Sequence, residues 1–235
     1  MSSKELLLLI LLILAANLIS PDVILSKELL LIILPIVLFS LSFHEYSHGY
    51  SALLLGDKTA QRQGRLTLNP IKHLDLIGTL AILFIGIGWA KPVPVMVGNL
   101  IRGRKSLWIV AIAGPLSNFI IAIFFSVIFN LFDMSSDLSL LNNTIELSIP
   151  YFFLAMIFLN VALGIFNLLP IPPLDGGNII YSLLPDKLAN YYSKFSGRLM
   201  LVFIVLIFLL VKSFPSMVLS PVITIVNFLI SDAIR

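Results

Sequence analysis

Residues 29–55 read LLLIILPIVLFSLSFHEYSHGYSALLL, an apolar run that contains two histidines and a glutamate. A membrane-spanning helix needs about 20 predominantly apolar residues, so this run is long enough to cross a bilayer. Ionisable side chains at membrane depth are costly and usually serve a function. The run therefore predicts a transmembrane helix that carries a functional site.

The composition of the whole chain is that of a membrane protein. Of its 235 residues, 59% are hydrophobic and only 11% are charged, which is more apolar surface than a soluble domain of this size can bury. Water-soluble enzyme classes are therefore excluded. Cysteine is absent, which excludes disulfides, thiolate metal ligands and a cysteine nucleophile. The basic residues lie in short loops between apolar runs, where membrane topology explains them, so we expect no nucleic-acid partner.

Six apolar runs predict an all-α polytopic membrane protein with about six transmembrane helices. The runs are Leu6 to Ile19, Leu29 to Leu55, Trp108 to Phe132, Pro150 to Leu184 with an internal break, Leu199 to Val211, and Phe214 to Ile230. The chain shows no internal repeat and no loop long enough to fold by itself. We therefore expect a single membrane-embedded domain over residues 1–235.

The apolar stretch Leu76 to Ala90 is too short to cross a bilayer and is followed by two prolines. Basic residues flank it on both sides, so a true crossing would place one basic cluster outside. We expect a re-entrant loop or short β-hairpin between the second and third helices. With the N-terminus inside, only Lys27 and Lys212 of the 15 Lys and Arg lie outside. This predicts a multi-pass cell-membrane protein whose N-terminus and main basic loops are cytoplasmic.

The sequence HEYSH at residues 44–48 predicts two converging metal ligands. Residues four apart on a helix differ by only about 40° around its axis, so His44 and His48 lie on one face. Zinc accepts neutral imidazole nitrogen, and Glu45 is placed to take a proton from a water molecule that the metal activates. The alternative is a pair of histidines that hydrogen-bond to neighbouring helices.

Asp175 is the candidate for the third protein ligand that a catalytic zinc needs beside an open position. It is the one other ionisable residue at membrane depth, and it follows a proline-rich break in NLLPIPPLDGG, residues 167–177. The prolines free backbone groups that are tolerated at this depth only where they line a cavity or pack on protein. The alternative is an ordinary helix-ending turn, and the histidine pair favours the ligand.

HEYSH and NLLPIPPLDGG resemble the zinc-binding signatures of the site-2 protease family of intramembrane metalloproteases, and the chain is similar to its small bacterial and archaeal minimal-core members. Three weaker stretches agree: GRLTLNPIKH (64–73), GWAKPVPV (88–95) and AGPLSN (113–118). The resemblance implies one zinc per chain held by His44, His48 and Asp175, with Glu45 as general base. It places the catalytic core at 29–184, which leaves 1–28 and 185–235 as accessory helices.

Three further residues are candidates for substrate binding. The resemblance implies that Asn167 holds substrate or polarises its carbonyl. Asn118 follows a Gly-Pro pair at the start of the third long run, where it either contacts substrate or hydrogen-bonds across helices. His73 either assists the site or is a surface or interfacial group beside Lys72 and Asp75.

These patterns predict a membrane zinc metalloprotease that cleaves the transmembrane segment of another membrane protein, which is regulated intramembrane proteolysis. The alternative is a non-proteolytic transporter or scaffold that uses the buried His, Glu and Asp as an ion or proton site. The order of HExxH opposes this alternative, because it places an acid that is not a ligand beside the metal, as hydrolysis needs. The substrate, its cleavage position, the physiological trigger and the oligomeric state lie beyond these patterns.

Overall fold

The structure is a computed structural model that describes residues 27–75, 91–134, 148–197 and 215–230. Its helices are α1 (Lys27–Leu54), α2 (Thr59–Arg62), α3 (Leu107–Leu131), α4 (Ile149–Asn167), α5 (Asp175–Leu183), α6 (186–197) and α7 (Pro215–Ile230). Single turns of 3₁₀-helix occur at Pro70–Lys72, Val97–Asn99 and Gly103–Ser106. The described residues contain no β-strand, so the helical fold class is confirmed for this part of the chain.

Two helices in the described ranges are long and apolar enough to cross a membrane. One comprises the 29 residues Gly103–Leu131, which include α3, and the other comprises the 19 residues of α4. Helix α1 covers the predicted second span, and α7 covers most of the predicted sixth. The runs Leu6 to Ile19 and Leu199 to Val211 lie outside the described residues, so the number of six spans stays a prediction.

Helix α3 lies at the centre of the described fold and packs against α1, α4 and α5, while α7 covers α3 and α4. Phe129 of α3 and Ile157 and Val161 of α4 are fully buried against Val222 and Val226 of α7. The outer face of α3 remains apolar and exposed, because its outward residues are isoleucine, leucine, phenylalanine, valine and tryptophan. Exposed apolar surface of this kind suits contact with lipid.

The break predicted inside the fourth apolar run lies between Asn167, the last residue of α4, and Asp175, the first residue of α5. The chain doubles back tightly here, because a Cβ atom added to Gly176 would lie 2.2 Å from the carbonyl oxygen of Leu168. Only glycine permits so close an approach of two backbone segments. The break therefore brings the start of α5 against the end of α4.

Arg104 holds the other end of α5 against the start of α3. Its guanidinium donates hydrogen bonds to the carbonyl oxygens of Tyr181, Ser182 and Leu184, where the last turn of a helix lacks internal partners. In return, the Ser182 hydroxyl donates to the Arg104 carbonyl over 2.7 Å. Helix α5 is thus fixed at both ends.

The stretch from Leu76 to Ala90 lies outside the described residues, and so does the predicted re-entrant loop or hairpin. Its two flanks are described and lie side by side, because the backbone N–H of Lys91 donates to the carbonyl oxygen of His73 over 2.8 Å. The chain therefore returns at residue 91 to the place that it leaves at residue 73.

Candidate metal centre

Three predicted ligands meet between α1, α3 and α5. The Nε2 atoms of His44 and His48 are 3.0 Å apart, and Asp175 Oδ2 lies 3.1 Å from the first and 3.3 Å from the second. Both histidines are buried. The helical register places the imidazoles together, and the break before α5 brings the carboxylate to them.

The hydrogen bonds of the histidines determine where their protons lie. Nδ1 of His48 is 2.7 Å from the backbone carbonyl oxygen of Val110, which can only accept, so Nδ1 donates. Nδ1 of His44 is 2.7 Å from the side-chain oxygen of Asn118, which also accepts. In the neutral form of each ring, Nε2 therefore carries a lone pair.

When both rings are neutral, their lone pairs and the carboxylate oxygen of Asp175 face a common place with no hydrogen between them. Oδ2 of Asp175 is buried and has no hydrogen-bond partner among the residues that the structure describes. Three such atoms repel each other unless a cation lies among them. In a tetrahedral site with metal–ligand bonds of about 2.0 Å, neighbouring ligand atoms lie about 3.3 Å apart, and the three atoms here have similar separations. The donor set of two nitrogens and one oxygen therefore fits zinc.

Gly114 of α3 leaves the room that a metal needs. A Cβ atom added there would lie 2.4 Å from Nε2 of His48 and 2.6 Å from Nε2 of His44. The position of that missing methyl group thus coincides with the space in front of both imidazoles. Any larger residue at this position would fill the space that a metal ion between the imidazoles would occupy.

Glu45 lies beside the three ligands and lines a cavity of about 260 Å³ with them. Its Oε2 atom accepts a hydrogen bond from the backbone N–H of Val93 over 2.7 Å. The remaining walls come from the 92–95 segment, from the start of α3 and from the break before α5. The three candidate ligands and Glu45 therefore line one cavity that has room for a peptide bond.

The three residues predicted to bind substrate lie in different places, and one of them lines the cavity. Asn167 lines the cavity, and its Nδ2 atom donates to the carbonyl oxygen of Leu163 over 2.9 Å. Asn118 is fully buried behind His44. It hydrogen-bonds across helices there, which was the expected alternative to contact with substrate. His73 is buried near the end of the 64–73 segment, where its Nε2 atom donates to the carbonyl oxygen of Thr67. Neither Asn118 nor His73 is among the described residues that line the cavity.

Asp57 is a structural residue that the sequence reasoning missed. It lies just beyond α1, is 1% exposed, and accepts hydrogen bonds from Thr59, from the backbone N–H of Met96 and from Asn99. Burial opposes ionisation, but the hydrogen bonds from Thr59, Asn99 and Met96 prevail and lower the pKa of the Asp57 carboxyl. The signal was present, because an Asp whose side chain accepts from the backbone N–H two residues later is typical of a turn.

Gly114 and Asn160 were missed as well. Gly114 lies in the AGPLSN stretch, but its closeness to the imidazoles depends on how α3 packs on α1. Asn160 is an amide in the middle of an otherwise apolar span, and that position alone indicates a polar interhelical contact.

The fold and the site together define a class. This is a helical protein in which two histidines and an aspartate could hold a metal ion, with a glutamate next in sequence to one of the histidines, and a metallopeptidase has this arrangement. Comparisons with known proteins agree. The family model described as Peptidase family M50 matches residues 130–211. No solved structure matches the chain.

Several bacterial proteins that are similar to this chain carry the name zinc metalloprotease. YwhC of Bacillus subtilis is 41% identical over 173 residues, which cover 72% of this chain and 77% of the relative. Rip2 of Mycolicibacterium smegmatis is 32% identical over 59% of this chain and 52% of its own length. Rip2 of Mycobacterium tuberculosis is 31% identical over the same shares of the two chains.

This chain belongs to peptidase family M50, the site-2 protease family, and the resemblance seen in its sequence is confirmed. It is an enzyme, a metalloprotease, as the sequence predicted. The names of the relatives also agree with zinc as the cofactor, and the donor set described above fits that ion.

Proposed function

We propose that this chain is an intramembrane zinc metalloendopeptidase that hydrolyses peptide bonds within or near the transmembrane segments of other membrane proteins. The observation that carries the proposal is the convergence of His44, His48 and Asp175, with Glu45 beside them, in a cavity between apolar helices. In this proposal, the three converging residues hold one zinc per chain.

Glu45 acts as the general base in the proposed reaction. Zinc, when bound, supplies Lewis-acid chemistry, which makes water more acidic and polarises the carbonyl of the scissile peptide. Because the N–H of Val93 engages Oε2, the second carboxylate oxygen is the one that takes the proton of the attacking water. Glu45 then passes this proton to the nitrogen of the leaving amine, so the carboxylate is regenerated.

Asn167 is the proposed contact for the substrate. It lines the cavity at the end of α4, on the same wall as the break before α5. Its Nδ2 atom has a second hydrogen, and an amide at this position is suited to donate it to a peptide carbonyl. His73 and Asn118 do not line the cavity, so no direct contact with the substrate is proposed for them.

The substrate has to be unwound locally, because a helix hides its peptide carbonyls in internal hydrogen bonds. The segment from Leu76 to Val95 is the proposed clamp, which holds the unwound strand by strand addition. Pro92, Val93 and Val95 line the metal cavity, which supports a contact between this segment and the substrate. The adjacency of His73 and Lys91 supports a re-entrant path for 76–90, since both flanks then lie on one side of the membrane.

The proposed location is the cell membrane, in which the chain crosses about six times with its N-terminus and main basic loops in the cytoplasm. One membrane-embedded domain over 1–235 contains the catalytic core at 29–184, with 1–28 and 185–235 as accessory helices. The two apolar helices long enough to span support this location, and the distribution of Lys and Arg supports the orientation.

The test uses purified full-length chain reconstituted into lipid vesicles with a single-span reporter protein. Wild type is expected to hold about one zinc and to cleave the reporter. Glu45→Gln is expected to keep its zinc and lose cleavage by at least about 10³-fold, because it cannot accept the proton. His44→Ala, His48→Ala and Asp175→Ala are each expected to lose both.

Two results would reject the proposal. Cleavage undiminished by Glu45→Gln would show that another group is the base. Full zinc content in Asp175→Ala would show that the third ligand is misassigned.

A further inference from the structure

A chain of buried polar side chains runs from His44 through three helices. The Oδ1 atom of Asn118 on α3 accepts from His44 Nδ1 over 2.7 Å, and its Nδ2 atom donates to Asn160 Oδ1 on α4 over 2.9 Å. The Nδ2 atom of Asn160 donates to the hydroxyl oxygen of Ser40 on α1 and to the carbonyl oxygen of Met156, each over 2.9 Å. Asn118, Asn160 and Ser40 are 0% exposed.

The direction of every hydrogen bond in this series of side chains follows from its end at Asn160. A backbone carbonyl can only accept, so the carbonyl of Met156 requires the Nδ2 atom of Asn160 to face it. The Oδ1 atom of Asn160 then faces α3, where it requires Nδ2 of Asn118 as donor. An amide has one oxygen and one nitrogen, so the oxygen of Asn118 must face His44.

The same logic continues into the imidazole. Because Asn118 presents an oxygen, Nδ1 of His44 must carry a hydrogen, and Nε2 is left with its lone pair toward His48 and Asp175. If the Asn118 amide were reversed, its NH₂ group would face Nδ1 and would favour the other tautomer, with a hydrogen on Nε2 where the metal binds.

From this chain we infer that Asn160 is a positioning residue for the metal centre: it sets the orientation of the Asn118 amide and thereby the tautomer in which His44 can bind a metal. The inference rests on the metal site assigned under the proposed function. A partner on the second ring nitrogen is common for ligand histidines. Here, however, the partner is a reversible amide, and a residue on a third helix determines its direction.

Asn118 and Asn160 also join α1, α3 and α4, and a purely structural role in that contact has to be distinguished from the orienting role. A carboxylate at position 118 separates the two roles. It offers only acceptor oxygens, so it holds the hydrogen on Nδ1 of His44 whichever way it turns and needs no orientation by Asn160.

The experiment compares Asn160→Leu with the double variant Asn118→Asp, Asn160→Leu in purified full-length protein. Zinc affinity is measured by competition with a chromophoric chelator, and the thermal stability of the zinc-free protein is measured in parallel. Asn160→Leu is expected to weaken zinc binding by about 10–100-fold, since the Asn118 amide can then reverse. The double variant is expected to recover most of that loss.

Asn130→Leu is the matched control. Asn130 also lies on α3, and it donates an interhelical hydrogen bond to the Leu229 carbonyl of α7 over 2.8 Å, away from the metal site. Its replacement is expected to lower stability and to leave zinc affinity within about 2-fold of wild type.

Asn160→Ser provides a milder variant if Asn160→Leu does not fold. A serine hydroxyl can bond to the carbonyl four residues earlier on its own helix, as Ser47 does to Phe43, but it is too short to orient Asn118. Asn160→Ser is therefore expected to weaken zinc binding as well, with a small loss of stability.

Two outcomes overturn the inference: zinc affinity unchanged in both Asn160 variants, or a double variant that binds zinc no better than Asn160→Leu. The second outcome would leave Asn160 with the structural role alone. Failure of the proposed metal site gives a different pattern, because His44→Ala would then bind as much zinc as wild type.

Discussion

The carboxylate of Glu45 accepts a hydrogen bond from the backbone N–H of Val93, with 2.7 Å between Oε2 and N. Three residues further on, the N–H of Met96 donates to the buried carboxylate of Asp57 over 2.6 Å. The segment 93–96 therefore lies between two carboxylates, the proposed general base and a structural anchor. The orientation of Glu45 depends on the position of this segment, which Asp57 helps to hold.

Replacing Asp57 with Asn should lower both stability and cleavage while zinc content stays near one. Its carboxylate accepts from Thr59, Met96 and Asn99, and loss of these charge-assisted bonds should cost about 2 kcal/mol in the free energy of unfolding. Looser positioning of Val93, and with it of the Glu45 carboxylate, should reduce kcat by about 10-fold. Asp186→Asn is the control, because Asp186 is an exposed carboxylate whose pair with Arg104 should contribute less than about 1 kcal/mol.

The destabilisation by Asp57→Asn should depend on pH. The pKa of the Asp57 carboxyl is lowered in the folded chain, so its ionised form contributes stability that is complete above the unfolded pKa of about 4. That contribution is lost as pH falls through the lower folded value. Chemical unfolding in detergent at pH 7 and near pH 3 should show a smaller difference between wild type and variant at the acid pH. An equal difference at both would contradict this assignment.

Alanine at position 114 should abolish metal binding. The added methyl group would lie within 2.6 Å of the Nε2 atoms of both histidines, which is closer than contact and in the place that the metal needs. Zinc measured by elemental analysis should fall below about 0.1 per chain. Gly98→Ala is the matched control, because a Cβ atom at Gly98 meets no atom of the described part of the chain within 4 Å. Full zinc content in Gly114→Ala would show that α3 lies farther from the imidazoles.

Cysteines introduced into this cysteine-free chain should reveal its topology. Positions Arg62 and Lys105 lie on either side of the 76–90 stretch, and we expect an impermeant thiol reagent to label both from the cytoplasmic side. Position Ser139 should be labelled from the outside. Labelling of Arg62→Cys and Lys105→Cys from opposite sides would show that the 76–90 stretch crosses the bilayer.

Cleavage should fall in the cytoplasmic half of the substrate's membrane segment. If α1 runs from outside to inside, His44 lies about 22 Å below the outer edge, counted from Leu29 at about 1.5 Å per residue in a core of about 30 Å. Glycine or proline near that depth in the substrate should speed cleavage, because such residues favour unwinding. Mass spectrometry of the products locates the cut, and a position in the outer half would refute the assigned depth.

Local patterns in the sequence were sufficient for the helical fold class and for the metal ligands as candidates. The spacing of His44 and His48 places both imidazoles on one face of any helix, and the length of the apolar runs requires helices in a membrane. Asp175 could be proposed because a lone carboxylate at that depth is costly. These inferences depend on helix periodicity and on the energy of burying a charged group, and both can be judged from residues that are close in sequence.

Other features were decided only by the tertiary structure, because they depend on atoms that are distant in sequence and meet through packing. Asp175 reaches the histidines because the break between α4 and α5 doubles back and Arg104 holds the end of α5 on α3. The requirement for Gly114 and the amide chain from Asn160 to His44 arise where α1, α3 and α4 touch. A sequence shows that an asparagine lies in an apolar helix, but which way its amide points is determined by the partners that the other helices bring to it.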